Sequence, residues 1–337
     1  MELIPASVLT GFLGSGKSTL LQRVLTEAHG KKIAVIENEF GEENIDGEII
    51  GGNIAGGGER IIQMSNGCVC CTIRDDLRAT LLDLAERRRA GDLDFTRVMI
   101  ETTGLADPGP VAQTFFLDEA IASLYRLDAI LTLVDAKHAM WQLDARREAR
   151  RQVGFADHLF ISKADLATTE DLAILSERLH RMNPSAPRTT VHFGEVGVSK
   201  VFDLGGFNLD PNLELSPDPE PGCDAREHSA NHHRHDDDVK SFVFRSERAF
   251  HPRRFGQFMN ALVGSHGQKL LRYKGILNLH GEDRKVILQG LHQLMSHDVG
   301  APWDAGEARV SKLVFIGIEL PKALLLRSLE QCLWPPQ

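Results

Sequence analysis

The stretch SNGCVCCTIRDDL, residues 65–77, places three cysteines, Cys68, Cys70 and Cys71, within four positions of a chain that has five in all. An odd count without regular spacing is no disulfide framework, and thiols clustered in a reducing compartment serve metal or redox chemistry. The run that follows reads as a helix, and thiolates near a helix N-terminus are more acidic than free thiols, which favours metal binding at neutral pH. Three sulfurs leave the fourth corner of a tetrahedral Zn²⁺ or Co²⁺ site to water, to a carboxylate or to a ligand from another protein. Glu37, Glu39 and Glu42 of IENEFGEENIDGEII stand in the same interval of the chain, and Glu37 and Glu42 are the candidate ligands. Core thiols, a redox pair and a permanent structural zinc are the competing readings. An incomplete site suits transfer of a metal better than permanent structure.

A second chemistry stands upstream. In TGFLGSGKST, Gly11, Gly16, Lys17 and Ser18 fit G-x-x-x-x-G-K-[ST] without mismatch. Such a loop turns backbone N–H groups toward phosphates, Gly14, Ser15, Gly16 and Thr19 included, while Lys17 supplies charge and Ser18 a hydroxyl for Mg²⁺. VMIETTGLADP supplies the acidic strand end that such a site requires, with Glu101 for Mg²⁺ and Gly104 to approach the γ-phosphate by its backbone. FISKAD is similar to the N-K-x-D element that reads guanine: Lys163 and Asp165 match, and Ser162 stands where Asn is usual. GTP is therefore the expected nucleotide, with Lys17, Glu101 and Gly104 as the catalytic candidates. A kinase or ATPase carrying a structural zinc is disfavoured by Lys163 and Asp165.

Weaker signals lie further on. His232, His233 and His235, with neighbouring aspartates, form a cluster able to hold a divalent ion loosely, or else a solvated linker. LLRYKGIL carries Arg272 and Lys274, which either face the nucleotide or a partner or, as the favoured reading, form an ordinary strand with its polar face in water.

Positioning these groups takes alternating strands and helices. Strands are expected at 7–10, 33–36, 97–100, 129–134, 158–161 and 189–192, with helices at 17–29, 74–90, 110–124 and 169–182. That alternation predicts an α/β fold: a P-loop NTPase with a mostly parallel sheet and helices on both faces. A Pro-, Asp-, Glu- and His-rich stretch without apolar period marks a linker. The expected division is a GTPase domain at 1–208, the linker at 209–238 and a smaller α+β C-terminal domain at 239–337. In the last, strands are expected at 241–244, 270–279, 285–289 and 312–318, with helices at 252–263 and 321–333. A net charge of −9 and the lack of a basic stripe argue against nucleic acid. No leader pattern and no long apolar run is visible, so a cytoplasmic protein without a membrane partner is expected.

The series GFLGSGKST, IENEFGE, C-x-C-C, ETTGLADPGP, K-x-D and a His-rich linker resembles the CobW-type metallochaperone GTPases, nearest to the YjiA branch. The resemblance implies a GTPase domain joined to the family's C-terminal domain, weak GTP hydrolysis, and binding or delivery of Zn²⁺ or a similar divalent ion. It implies a client metalloprotein without identifying one, and leaves oligomerisation open. The alternative is a metal buffer or sensor whose affinity is gated by nucleotide and which has no client.

Overall fold

The computed structural model describes residues 2–27, 30–38, 60–63, 72–197, 200–206 and 237–335. Glu42, Cys68, Cys70, Cys71, His232, His233 and His235 lie outside the described residues. The chain divides into two compact units, one of Met1–Gln142, Arg146–Glu177 and Ala186–Asn208, the other of Leu143–Ala145, Arg178–Ser185 and Leu209–Gln337.

A seven-stranded sheet forms the first, in the order β3-β2-β4-β1-β5-β6-β7. Its strands are β1 Ile4–Gly11, β2 Ile33–Asn38, β3 Arg60–Gln63, β4 Arg97–Thr102, β5 Tyr125–Asp135, β6 His158–Ser162 and β7 Arg188–Val191. Every pairing is parallel. Parallel strands are covered on both faces, which is why β4 and β6 are buried along their whole length and carry the apolar runs 98–100 and 159–161 at their centres. The connecting helices are α1 Lys17–Thr26, α2 Thr72–Ala90, α3 Pro108–Leu117, α4 Glu119–Ala122, α5 Ala139–Ala145, α6 Arg147–Phe155 and α7 Thr169–Met182. Leu20, Leu21 and Val24 of α1 pack with Leu9, Val35, Met99 and Leu131 of the sheet, so burial fixes the helix that follows the phosphate loop.

The helix expected over 110–124 is two helices. Asp118 ends α3 and begins α4, its side chain accepting from the N–H groups of Ala120 and Ile121 at 3.0 and 3.1 Å. A short acidic side chain that satisfies the free N–H groups of a new helix breaks the old one. Helices α5 and α6 and strand β3 had no expectation in the sequence.

The second unit carries a five-stranded antiparallel sheet, β11-β10-β9-β12-β8. Its strands are β8 Val239–Ser246, β9 Leu270–Leu277, β10 Arg284–Leu291, β11 Leu294–Pro302 and β12 Ser311–Ile318, with helices α8 Pro252–His266 and α9 Lys322–Gln331. Phe242, Phe244, Phe250, Phe255, Tyr273, Leu313, Phe315 and Leu329 make its core. Edge strand β11 is mostly exposed and has no apolar alternation, which is why its sequence gave no strand signal. Arg272 of β9 is fully buried and Lys274 half-buried, so this polar face does not lie in water as its composition suggests.

Candidate nucleotide and metal site

The C-terminal ends of β1, β4 and β6 converge on a cavity of about 830 Å³ lined by Gly14, Gly16, Lys17, Ser18, Thr19, Glu101, Gly104 and Lys163, among others. In open α/β sheets ligands bind at this carboxyl edge. The structure thus brings together residues read from three separate motifs.

Between β1 and α1 the backbone turns through Gly14 and Gly16, at φ 72° and 96°. Gly16 caps α1 in the left-handed region, which an L-residue with a side chain adopts only under strain. Lys17, nearly buried, donates from Nζ to the Gly11 carbonyl at 3.0 Å. Ser18 Oγ donates to Glu101 Oε1 at 3.4 Å, which joins the helix start to the end of β4. These are hard oxygen donors at the cavity wall, and such donors suit Mg²⁺.

Gly104 packs against the phosphate loop. A Cβ built on it would lie 2.5 Å from Leu13 N, so only glycine permits this approach of two backbones. Gln152 of α6, buried, holds the same turn by donating from Nε2 to Gly104 O at 3.1 Å and Ala106 O at 3.0 Å. Arg151 pairs with Asp107, whose carboxylate caps α3 through Gly109 N. Sequence reading missed these partners because helix α6 itself was missed; the signal available was the amphipathic run from Arg147 to Phe155.

Behind the loop stands the K-x-D element. Lys163 adopts φ 54° and donates from Nζ to Gly14 O at 2.5 Å and to Asp135 Oδ2 at 2.8 Å. Ser162, where Asn is usual, donates from Oγ to Ser15 O at 2.6 Å, so the hydroxyl ties β6 to the phosphate loop directly. Asp165 is the middle residue of the one-turn 3₁₀ segment Ala164–Leu166, is exposed, and has His192 Nδ1 3.7 Å from its Oδ1. Asp135, a further residue the motifs did not signal, ends β5 and is buried. Burial alone would raise its carboxyl, but hydrogen bonds from Lys163 and His138, the Lys163 charge and the Lys137 N–H outweigh that and hold it below the usual carboxylate range.

Glu37, the candidate metal ligand, is the penultimate residue of β2 and is buried, and it pairs in register with Glu101 of β4. Paired residues of neighbouring strands share a face of the sheet. No group of three or more His, Cys, Asp or Glu side chains able to hold a metal occurs among the described residues. Among those residues, too, no helix is long and apolar enough to cross a membrane.

Comparison with known proteins places residues 5–190 in the CobW/HypB/UreG nucleotide-binding domain and residues 239–333 in the cobalamin synthesis protein cobW C-terminal domain. The chain is 40% identical over 322 residues to the zinc chaperone YjiA of Escherichia coli, covering 96% of each protein. It is 32% identical to the zinc chaperone CobW of Pseudomonas aeruginosa, covering 98% of this chain and 92% of that one. Among solved structures, the Zn(II)-bound YjiA GTPase from E. coli aligns at a TM-score of 0.80 with 35% identity, covering 98% of this chain and 99% of that one. A Zn(II)-bound triple mutant of the YjiA GTPase gives 0.81 at 34% identity, over 99% of this chain and all of that one.

Proposed function

This chain belongs to the CobW/HypB/UreG family, and we propose that within it the protein hydrolyses GTP to control delivery of Zn²⁺, or a similar divalent ion such as Co²⁺, to a client metalloprotein. It is a P-loop GTPase with a CobW C-terminal domain. We propose further that the GTPase domain spans 1–208, the linker 209–238 and the C-terminal domain 239–337, and that the protein works in the cytoplasm.

In this reading the loop Gly11–Thr19 cradles the phosphates, Lys17 meets the β- and γ-oxygens, and Asp165 reads guanine beside the Lys163 stem. Ser18 and Glu101 would hold Mg²⁺, which supplies charge neutralisation on the phosphates when bound. Gly104 brings its backbone to the γ-phosphate, and Gln152 keeps that turn in place. The cargo metal is taken by Cys68, Cys70 and Cys71, with Glu37 or Glu42 as the fourth ligand, and His232, His233 and His235 as a weak accessory site.

The observation that carries the reading is the register of Glu37 with Glu101. One carboxylate belongs to the nucleotide cavity. Its neighbour one strand away heads the segment 38–71, which contains the thiols. Both sites therefore pull on adjacent strand ends, and a change at one is felt at the other.

If metal and GTP bias a common two-state switch, linkage makes each raise the other's affinity by one factor, about fivefold to 150-fold for a coupling of about 1–3 kcal/mol. Cobalt affinity measured by chelator competition is then higher in the Mg²⁺·GTP-analogue form than in the GDP form. Replacing Cys70 and Cys71 by Ala abolishes both the thiolate–cobalt absorption band and the coupling. Equal affinities in the two forms would remove switch-coupled delivery. The buffer or sensor alternative predicts coupling but no transfer to an apo-client that depends on hydrolysable GTP.

A further inference from the structure

Asp135 is the residue at this edge of the sheet that no motif claims. It sits at the C-terminal end of β5, its side chain 2% exposed, so its oxygens are not free to meet a nucleotide. Each oxygen is in use. Oδ1 accepts from the N–H groups of Lys137 at 2.9 Å and His138 at 3.3 Å, which closes the turn after β5. Oδ2 faces Lys163 Nζ at 2.8 Å and His138 Nδ1 at 3.0 Å. The same Lys163 ammonium reaches the Gly14 carbonyl, so one cation bridges β5, the K-x-D turn and the phosphate loop. Lysine has a long, rotamer-rich stem, and ordering it for each nucleotide costs entropy unless its end is already held in place. A buried carboxylate tied down by its own turn is an anchor of that kind, and a charge-assisted hydrogen bond is roughly twice as strong as a neutral one.

We infer that Asp135 is a positioning residue for guanine recognition: it holds the Lys163 ammonium against the phosphate loop and so fixes the lysine stem beside which the base lies. This rests on the reading of the cavity as a GTP site. His138, largely exposed, is a second partner of the same oxygen. Because the anchor acts on the base side, its loss weakens GTP and GDP alike.

The test is a double-mutant cycle in the full chain, reading GTP-analogue and GDP affinity by titration for wild type, Asp135→Asn, Lys163→Met and the pair. Asn keeps the acceptor for Lys137 N and His138 N and removes the charge. The expected result is a loss of about tenfold for either nucleotide in Asp135→Asn, and no further loss in the Lys163→Met background, since contacting residues that act through one another are not additive. In hydrolysis, KM changes more than kcat. Asp135→Glu, which keeps the charge and displaces it by one methylene, is the second variant and gives the same non-additive pattern. Losses that multiply in the double variant, or an unchanged affinity in Asp135→Asn, overturn the inference while leaving the GTP site standing. Failure of the wild-type chain to bind either nucleotide would instead overturn the site itself.

Discussion

Gly104 shows how much a single atom decides at this site. A methyl group on it would meet the Leu13 side chain and also the Leu13 backbone, and the backbone cannot swing away. Either the phosphate loop or the 103–105 turn must then move, and forced overpacking costs about 1–3 kcal/mol. If that cost falls on the nucleotide-bound form, Gly104→Ala lowers kcat/KM for GTP by about ten- to a hundredfold. Steady-state kinetics measure it, and an unchanged value would show that the turn approaches the loop without serving hydrolysis. Ser162 is the converse case. It departs from the usual Asn, yet its hydroxyl makes the tie to Ser15 O that holds the base element to the loop.

Among the elements, β6 carries both the K-x-D turn at one end and a buried histidine at the other. His158 stacks on Phe160 with ring centroids 4.5 Å apart, and its Nε2 lies 2.9 Å from Thr189 Oγ1 of β7. Burial pushes its pKa down to about 4, the Lys200 charge adds to the fall, and Asp157 opposes it. The ring is thus neutral in the fold and binds a proton more readily in the unfolded chain, whose ordinary value is about 6.5. Between those values unfolding takes up a proton, so stability is full above about pH 6.5 and is lost as pH falls toward 4. From pH 7 to pH 5 this one group removes about 2 kcal/mol. Urea unfolding at the two pH values should show that loss in the wild type and a flatter response in His158→Gln. Equal slopes would mean that the ring already carries its proton in the folded sheet.

For the whole molecule, a bound nucleotide is a stability term. At a GTP-analogue concentration one hundred times its Kd, linkage adds about 2.7 kcal/mol to the cooperative unit that carries the loop. Lys17 is nearly buried, but the contact given by its ammonium is with Gly11 O at the cavity wall and not with the apolar core. Lys17→Ala therefore folds and loses most of the nucleotide-dependent rise in Tm, as well as hydrolysis. Scanning calorimetry with and without nucleotide reads both. A full shift in the variant would remove the phosphate-loop assignment.

The sequence by itself determined the P-loop fold, most of the strands, and the residues Lys17, Ser18, Glu101, Gly104 and Lys163 as members of one cavity. It could do so because phosphate and guanine recognition demand fixed residue types at fixed short spacing, and because parallel strands buried on both faces read as apolar runs. Tertiary structure alone decided the rest. Asp135, Gln152 and the hydroxyl of Ser162 gain their roles from partners 28, 48 and 147 positions away in the chain, a separation over which no local pattern is imposed. The same holds for Glu37 and Glu101, whose adjacency is a matter of register between two parallel strands. Strand pairing, not spacing, brings their carboxylates level.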